Sequence, residues 1–514
     1  MRAEDYKISS EKFVFHQTSG DLHDTKLETK PVSYFRDAFN RFAKNKASII
    51  AAGIIIFLIL FAIVAPIFSP YTVAYEDAEY KFARPKNKIF YNLGIPFWDG
   101  GANKEVNEVT YKLYEAIEIE TGRKVIMNEP ERIEEEYMKM KTVTYKFRLD
   151  TYNMVGVVYK LVSDAEYKDI QRYQDENNVQ IIFPITDPKK RPEAQVDINN
   201  ANIWFETKLG AGGKTEIVYA EDGGFTPIYK ANNGKDAYTS KMYYEGDEKL
   251  YNYAQSKAGG MWEIRVDYLE YYKYKHEMAG DRIKEPCFIF GANNAGKDIF
   301  TCLSSGARFS FLLAVAVSAV NLFIGAIYGA IEGYYGGRID IFMERFVEIL
   351  SAVPFMIVIT LLKYHFSVSH ITILFIAFFI TGWTGMAART RMQFYRFKNQ
   401  EYVLVARTLG ARDRRIMFKH IFPNALGTLI TGSVLVIPGV IFSETSLTYL
   451  GIINLSTGNL TSVGTLLASG QSYLFTYPHM MLFPAIFISL LMLSFNLFGN
   501  GLRDAFNPSL RGTE

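Results

Sequence analysis

Residues 401–424 read EYVLVARTLGARDRRIMFKHIFPN, and the fold turns on how this stretch is interpreted. Val403, Ala406, Leu409 and Gly410 fall at helical spacing, Gly410 interrupts, and Ile416, Met417 and Ile421 resume the pattern before Pro423 stops it. Two short helices joined at a glycine are predicted. Between Arg389 and His420 the chain carries nine Lys or Arg residues, against only Glu401 and Asp413. Long apolar segments lie on either side. A basic loop at a membrane face accounts for this combination.

Working outward, the apolar segments are long enough to span a bilayer. Residues 47–75 contain no charged residue, and at 1.5 Å per residue their middle crosses a hydrocarbon core of about 30 Å. Further spans are predicted at 309–331, 339–362, 364–388, 421–443 and 477–498. In 339–362, Asp340, Glu344, Arg345 and Glu348 occupy the first turns, so that end sits near the interface or faces protein. The small residues Ala314, Ala316, Ser318, Ala319, Gly325 and Gly329 in the second span predict close helix approach. Six spans put both termini on one side. The loops predicted outside, 363–370 and 445–476, hold Lys363 and no other Lys or Arg, so the basic loop belongs inside. Within the second of these, TSVGTLLASGQSYL predicts a short helix dipping into the outer face. The polar tail 1–46 is too long, and the apolar run after it too extended, for a cleaved signal peptide.

Residues 76–287 differ in kind. They are rich in tyrosine, hold no spanning run, and contain β-like segments such as TVTYKFRL, VGVVYKLV, VQIIFPI and WEIRVDYL between the turn signals DPKKRP, GAGGK, EDGG and NNGK. A strand-rich β or α+β domain of ordinary size is expected, outside the cytoplasm because the basic tail before the first span stays inside. The organisation is then a cytoplasmic tail (1–46), first span (47–75), extracytoplasmic insert (76–287), pre-helix segment (288–308), a core with spans two to six (309–502) containing the loop 389–424, and a cytoplasmic tail (503–514).

Composition narrows the function. A net charge of +2 gives no reason to expect a nucleic-acid partner. Two cysteines, Cys287 and Cys302, exclude a disulfide-rich scaffold and a cysteine zinc cluster; one bridge or two free thiols remain open. His365, His370 and His420 lack metal spacing, and no metal site is expected. FGANNAGKD mimics P-loop spacing at Gly291, Gly296 and Lys297, but Asp298 stands where a hydroxyl would hold magnesium, and GAGGKT at 210–215 has Lys208 where the first glycine belongs. The chain is therefore expected not to hydrolyse ATP itself, and no catalytic residue is assigned.

The basic loop resembles the EAA motif of ABC-importer permeases, with Leu404, Val405, Ala406, Gly410 and Pro423 at the motif positions and Leu404 replacing its acid. Glu401 lies one turn earlier. More specifically, the chain is similar to the C-type permease of oligopeptide and dipeptide importers, through NRFAKNKASIIAAG, FGANNAGKDIFTCLSSGARFS, GYYGGRID, the loop itself, FSETSLTYLG and LSFNLFGNGLRDAFNPSL. The resemblance covers 35–75 and 290–511 and leaves the insert unexplained. It implies a polytopic α-helical membrane protein with the six-helix type I importer permease fold, in a bacterial plasma membrane. It also implies partners: a second homologous permease, two cytoplasmic ATPase subunits that bind ATP and Mg, an extracytoplasmic substrate-binding (lipo)protein and a peptide substrate.

Within that frame, Val405, Ala406, Arg407, Leu409, Gly410, Ala411, Arg412 and Asp413 are the expected ATPase-coupling residues. Val405, Ala406 and Leu409 offer an apolar face, and Arg407, Arg412, Arg414 and Arg415 can pair with acids or anchor at headgroups. Polar groups inside spans, Asn321, Glu444 and Thr445, are candidate pathway residues, although an interhelical hydrogen bond is the commoner use of an intramembrane Asn such as Asn321 and a structural pairing serves equally for Glu444. The competing function is a membrane-anchored receptor or enzyme carried by the insert. Six spans exceed what an anchor needs, and the insert shows no nucleophile elbow, HExxH or CxxC motif.

Overall fold

The computed structural model describes residues 34–506 apart from 97, 138–139, 184–203, 206, 210–214, 218–226, 229–253 and 457–459. The turn signals DPKKRP, GAGGK, EDGG and NNGK lie outside the described residues. Among the described residues, five helices are long and apolar enough to cross a membrane: Lys46–Phe68, Ile299–Tyr335, His370–Phe397, Asp413–Tyr449 and His479–Ala505. Gly337–Ala352 and Phe355–His365 meet the same length and composition only together, bent by 74°, and make a sixth span when counted as one broken helix. The bend falls at Val353 and Pro354, where the proline ring removes a backbone donor and holds its predecessor extended.

Several boundaries differ from expectation. The second span starts at Ile299, before residue 309, because Asp298 caps it and accepts the Thr301 N–H at 2.9 Å. Residue 364 still belongs to the third span; Ser369 caps the fourth, which runs on to Phe397. Pro423 does not stop a helix. It sits in the first turn of Phe422–Val434, where its missing N–H costs nothing, and a π-helical turn over Ile416–Ile421 joins that helix to Asp413–Arg415. The fifth span therefore begins at Asp413. The short helix expected in 445–476 is present as Val463–Gln471, with Ser462 and Thr465 forming a capping box.

Lipid supplies no hydrophobic drive between helices, so close backbone contact does the packing. Gly325, Gly329 and Gly333 line one stripe of the second span; a Cβ on Gly329 would lie 2.1 Å from the Ala387 carbonyl oxygen of the fourth. The bundle has two ends. The insert and the helix Val463–Gln471 share one; the loop 398–421 lies at the other, together with Ser48, whose Oγ donates to the Leu497 carbonyl.

The insert is α+β, and it is a tandem pair. Each copy starts at a left-handed glycine, Gly100 or Gly156, followed by a seven-residue strand, Gly101–Asn107 or Val157–Ser163. The last strand residue caps a fourteen-residue helix, Glu108–Thr121 or Asp164–Asn177, which ends at a left-handed Gly122 or Asn178. In the helix a side-chain Oε1 accepts two backbone N–H groups from the chain beyond: Glu118 from Val125 and Ile126 at 2.6 and 2.8 Å, Gln174 from Ile181 and Ile182 at 2.6 and 2.5 Å. A returning strand then pairs antiparallel with the first, Gly101 opposite Asp150 in one copy and Val157 opposite Asp267 in the other. Closing bonds repeat too: Asp150 N–H to Val125 O and Asp267 N–H to Ile181 O, both 2.8 Å. The first copy completes its sheet with Glu131–Tyr137; the second with Ala254–Lys257 and Ile182–Phe183.

The second copy shares a core with the chain that leaves the membrane. Tyr71, Tyr80, Tyr167, Ile182, Ile264, Tyr272 and Phe288 pack together, so the insert's core reaches past 76–287 on both sides. Each such buried side chain contributes about 1.5–3 kcal/mol. Arg84 donates to the Thr476 carbonyl at 2.7 Å, and Phe82 stacks on Tyr477 at 4.3 Å, which seats the insert on the last span's entry.

Candidate functional site: the basic loop and its bed

The first loop helix is Glu401–Thr408, and it ends as expected at Gly410, whose φ of +80° suits only a residue without a β-carbon. Val403 turns inward, onto Ala330, Tyr334, Phe394, Ile416, Met417 and Ile421, and Ala406 on the same side of the helix is buried too. Ala406 therefore does not join the outward face assigned to it. Its place is taken by Leu404, which is 46% exposed, beside Val405 at 56% and Leu409 at 82%. The residue that replaces the motif acid is thus part of an apolar surface, with Tyr402 on its edge.

The loop's bed is polar and tied down. Arg391 forks onto Asp340 at 2.6 and 3.0 Å, Tyr395 donates to the same carboxylate at 2.6 Å, and Lys398 donates to the Gly333 carbonyl at 2.9 Å. Arg391 also lies 3.3 Å from Glu332, which is fully buried. Above this, the Tyr334 hydroxyl donates to Asp413 at 2.6 Å, and Arg407 lies over the Tyr334 ring at 5.9 Å. Asp413 and Arg407 are therefore engaged within the chain. Ala411 closes the turn by donating its N–H to the Ala406 carbonyl at 3.0 Å. The side chains of Arg412, Arg414 and Arg415 are exposed and make no hydrogen bond or ion pair among the described residues. The arrangement is a rigid, outward apolar ridge flanked by free guanidinium groups, suited to a groove with acidic rims.

The three intramembrane polar residues lie inside the chain's own packing. Asn321 is 2% exposed, and its amide sits where a Cβ on Gly382 would stand, 2.4 Å away. Glu444 is fully buried and accepts from Ser310 Oγ at 2.7 Å; Thr445 beside it is 5% exposed. None is brought to the loop. The P-loop-like residues are structural as well: Lys297 Nζ donates to the Val73 carbonyl at 3.2 Å, and a Cβ on Gly296 would collide with the Asp77 backbone. Cys287 and Cys302 are both free thiols. No group of metal-ligating side chains occurs among the described residues.

Sequence reasoning missed a cavity of about 400 Å³ between the fourth, fifth and sixth spans at the loop end, lined by Arg389, Arg396 and Arg503 among others. Its only sequence signal was the spacing of Arg389, Gln393 and Arg396 on one helical face.

Residues 321–512 match the family described as binding-protein-dependent transport system inner membrane component, and residues 33–85 match the N-terminal transmembrane domain of oligopeptide transport permease C. The oligopeptide transport system permease protein OppC of Bacillus subtilis is 44% identical over 222 residues, 43% of this chain and 72% of that protein. The chain belongs to this permease family. The dipeptide transport system permease protein DppC of the same organism is 40% identical, covering 43% of this permease and 69% of the relative. OppC of Escherichia coli K12 is 35% identical, covering 43% and 72%. The two family matches flank residues 86–320, so the tandem modules of this permease fall between them.

Proposed function

We propose that this permease forms half of the translocation pathway of an ATP-driven importer for oligopeptides or dipeptides. A second homologous permease supplies the other half. Two cytoplasmic ATPase subunits bind ATP and Mg, and an extracytoplasmic binding (lipo)protein delivers the peptide. The loop is the coupling element: its ridge of Leu404, Val405 and Leu409 enters an ATPase groove, Arg412, Arg414 and Arg415 meet acids on its rim, and Gly410 with Ala411 sets the turn. The single observation that carries this reading is the exposure of three large apolar side chains on a loop otherwise pinned by Tyr334 and Asp340. ATP binding elsewhere then moves the loop as a unit with the ends of the second, fourth and fifth spans.

The basic loop and the tail before the first span face the cytoplasm of a bacterial cell, both termini lie there, and the insert is extracytoplasmic. The insert holds the binding protein, gates the outer mouth or meets the partner permease. The chain carries no ATPase site in this reading, which the engagement of Lys297 by the Val73 carbonyl and of Asp298 as the cap of the second span supports. An anchor role for the membrane part is disfavoured, because an anchor has no use for a braced apolar ridge.

Leu409→Asp tests the coupling. The side chain is exposed, so the permease should insert and fold, while ATPase binding weakens by at least about 30-fold, the loss typical of an interface hot spot. Normal ATPase co-purification and normal peptide uptake by this variant would refute the assignment.

A further inference from the structure

We propose that the cavity between the fourth, fifth and sixth spans at the loop end is a carboxylate-binding subsite for the transported substrate, with Arg389, Arg396 and Arg503 receiving the C-terminal carboxylate of a peptide. The inference rests on the peptide-import reading above and names the part of the substrate that this chain grips.

The cavity holds about 400 Å³ and is lined by the three arginines together with Gln393, Thr428 and Thr431; among the described residues no carboxylate lines it. Arg389 donates once, to the Gly432 carbonyl at 3.1 Å. The Arg396 guanidinium lies against the Phe397 ring, and neither it nor the Arg503 guanidinium makes a hydrogen bond or ion pair among the described residues. The contrast with Arg391, two positions from Arg389 and forked onto Asp340, shows that counter-ions were available to this helix and were placed elsewhere. Three guanidinium groups around one cavity repel one another until an anion enters, and their planar forks match a carboxylate. Gln393 adds the complementary group: its Oε1 is buried without a partner and can accept the N–H of the last peptide unit.

The cavity's position favours substrate over lipid. Asn496, Asn500 and Arg503 lie exposed on successive turns at the loop end of the last helix, where the face changes from apolar (Ile486, Leu493) to polar. Amide groups turned to hydrocarbon would go unsatisfied, so this face borders water or a partner permease. The arginines thus stand at the loop end of a polar strip, where a peptide passing through the pair of permeases would bring its terminus.

The test uses the assembled importer, with its ATPases and binding protein, in liposomes. Uptake of one labelled peptide is measured as the free acid and as its C-terminal amide, for wild type, Arg396→Gln/Arg503→Gln and the single Arg503→Lys. The double variant should take up the free acid about tenfold more slowly, as expected for losing charge-assisted bonds, while amide uptake stays at the wild-type rate. The lysine variant should keep part of the preference for the acid, and it carries the ratio measurement if the double variant fails to co-purify with its partners. Equal losses for acid and amide, or an unchanged ratio, overturn the subsite. So does a defect seen only in liposomes containing phosphatidylglycerol, which would give the cavity to a lipid headgroup. A wild-type complex that imports neither form overturns the peptide-import reading, and the subsite with it.

Discussion

Glu444 shows how one residue can support two roles until its neighbours are known. Its carboxylate accepts from Ser310 Oγ at 2.7 Å, and Thr448 donates to its carbonyl at 2.9 Å, with no part of the side chain exposed. A carboxamide keeps an acceptor for Ser310, whereas alanine leaves that hydroxyl without a partner, at a cost of about 1–3 kcal/mol. Glu444→Gln should therefore keep most peptide uptake, while Glu444→Ala should lower the melting temperature of the purified permease. Loss of uptake in the glutamine variant at unchanged melting temperature would return Glu444 to the pathway. The sequence marked Glu444 and Asn321 as polar groups at membrane depth but not their surroundings, because which face of a span is covered depends on helices distant along the chain. The same gap explains Ala406. Spacing placed it with Val405 and Leu409, yet the helix packs through Val403 onto the cluster around Tyr334 and Phe394, and with that rotation Ala406 is buried and Leu404 exposed.

At the scale of elements, the insert's helices are held by a device that recurs. Glu118 and Gln174 each accept two backbone N–H groups from the strand that follows their helix. Removing the acceptor orphans both donors. Gln174→Ala is expected to destabilise its copy by about 2–3 kcal/mol, since Gln174 is 2% exposed and buried orphans cannot turn to water. Hydrogen exchange should lose protection at Ile181 and Ile182 and keep it at Val125 and Ile126; unchanged exchange at Ile181 would count against the role. The tandem copies were hard to see in the sequence. Gly100 and Gly156, Lys104 and Lys160, Tyr111 and Tyr167, and Ile126 and Ile182 coincide, but most other positions differ. What repeats is backbone geometry, which many side chains satisfy. The helices were missed for a related reason, because tyrosine and charged residues fill them where an apolar stripe would have given a clear period.

At the scale of the whole molecule, the insert is welded to the bundle by buried tyrosines. Tyr268 donates to Asp77 at 2.7 Å, and Tyr75 donates to Tyr272 at 2.9 Å. Burial first, then the nearby Asp77 charge, pushes the Tyr75, Tyr80 and Tyr268 hydroxyls well above their ordinary range; burial does the same to Tyr272. In the unfolded chain these groups ionise near pH 10. Their raised values mean that the folded form keeps protons the unfolded form releases, so their stabilisation is complete below about pH 10 and is lost as pH rises beyond it. Thermal melting of the purified permease, followed by near-ultraviolet circular dichroism, should hold steady up to about pH 9 and fall sharply by about pH 11, with the buried tyrosines adding their share of tyrosinate absorbance only as the insert unfolds, after the tyrosines in contact with water. Ionisation of the full complement of tyrosines near pH 10, while the circular dichroism is still that of the folded protein, would contradict the packing described.

The sequence by itself determined the membrane class, the number of spans, the basic loop with its glycine break and the existence of a separate domain between the first two spans. These are one-dimensional properties: apolar length set against bilayer thickness, charge counted loop by loop, and glycine where φ must be positive. Tertiary structure alone decided which side of the loop helix is free, that the insert is two copies of one module seated on Tyr477 and Thr476, and that Arg389, Arg396 and Arg503 surround one cavity. Each of these depends on residues brought together from distant parts of the chain, and no local period records such meetings.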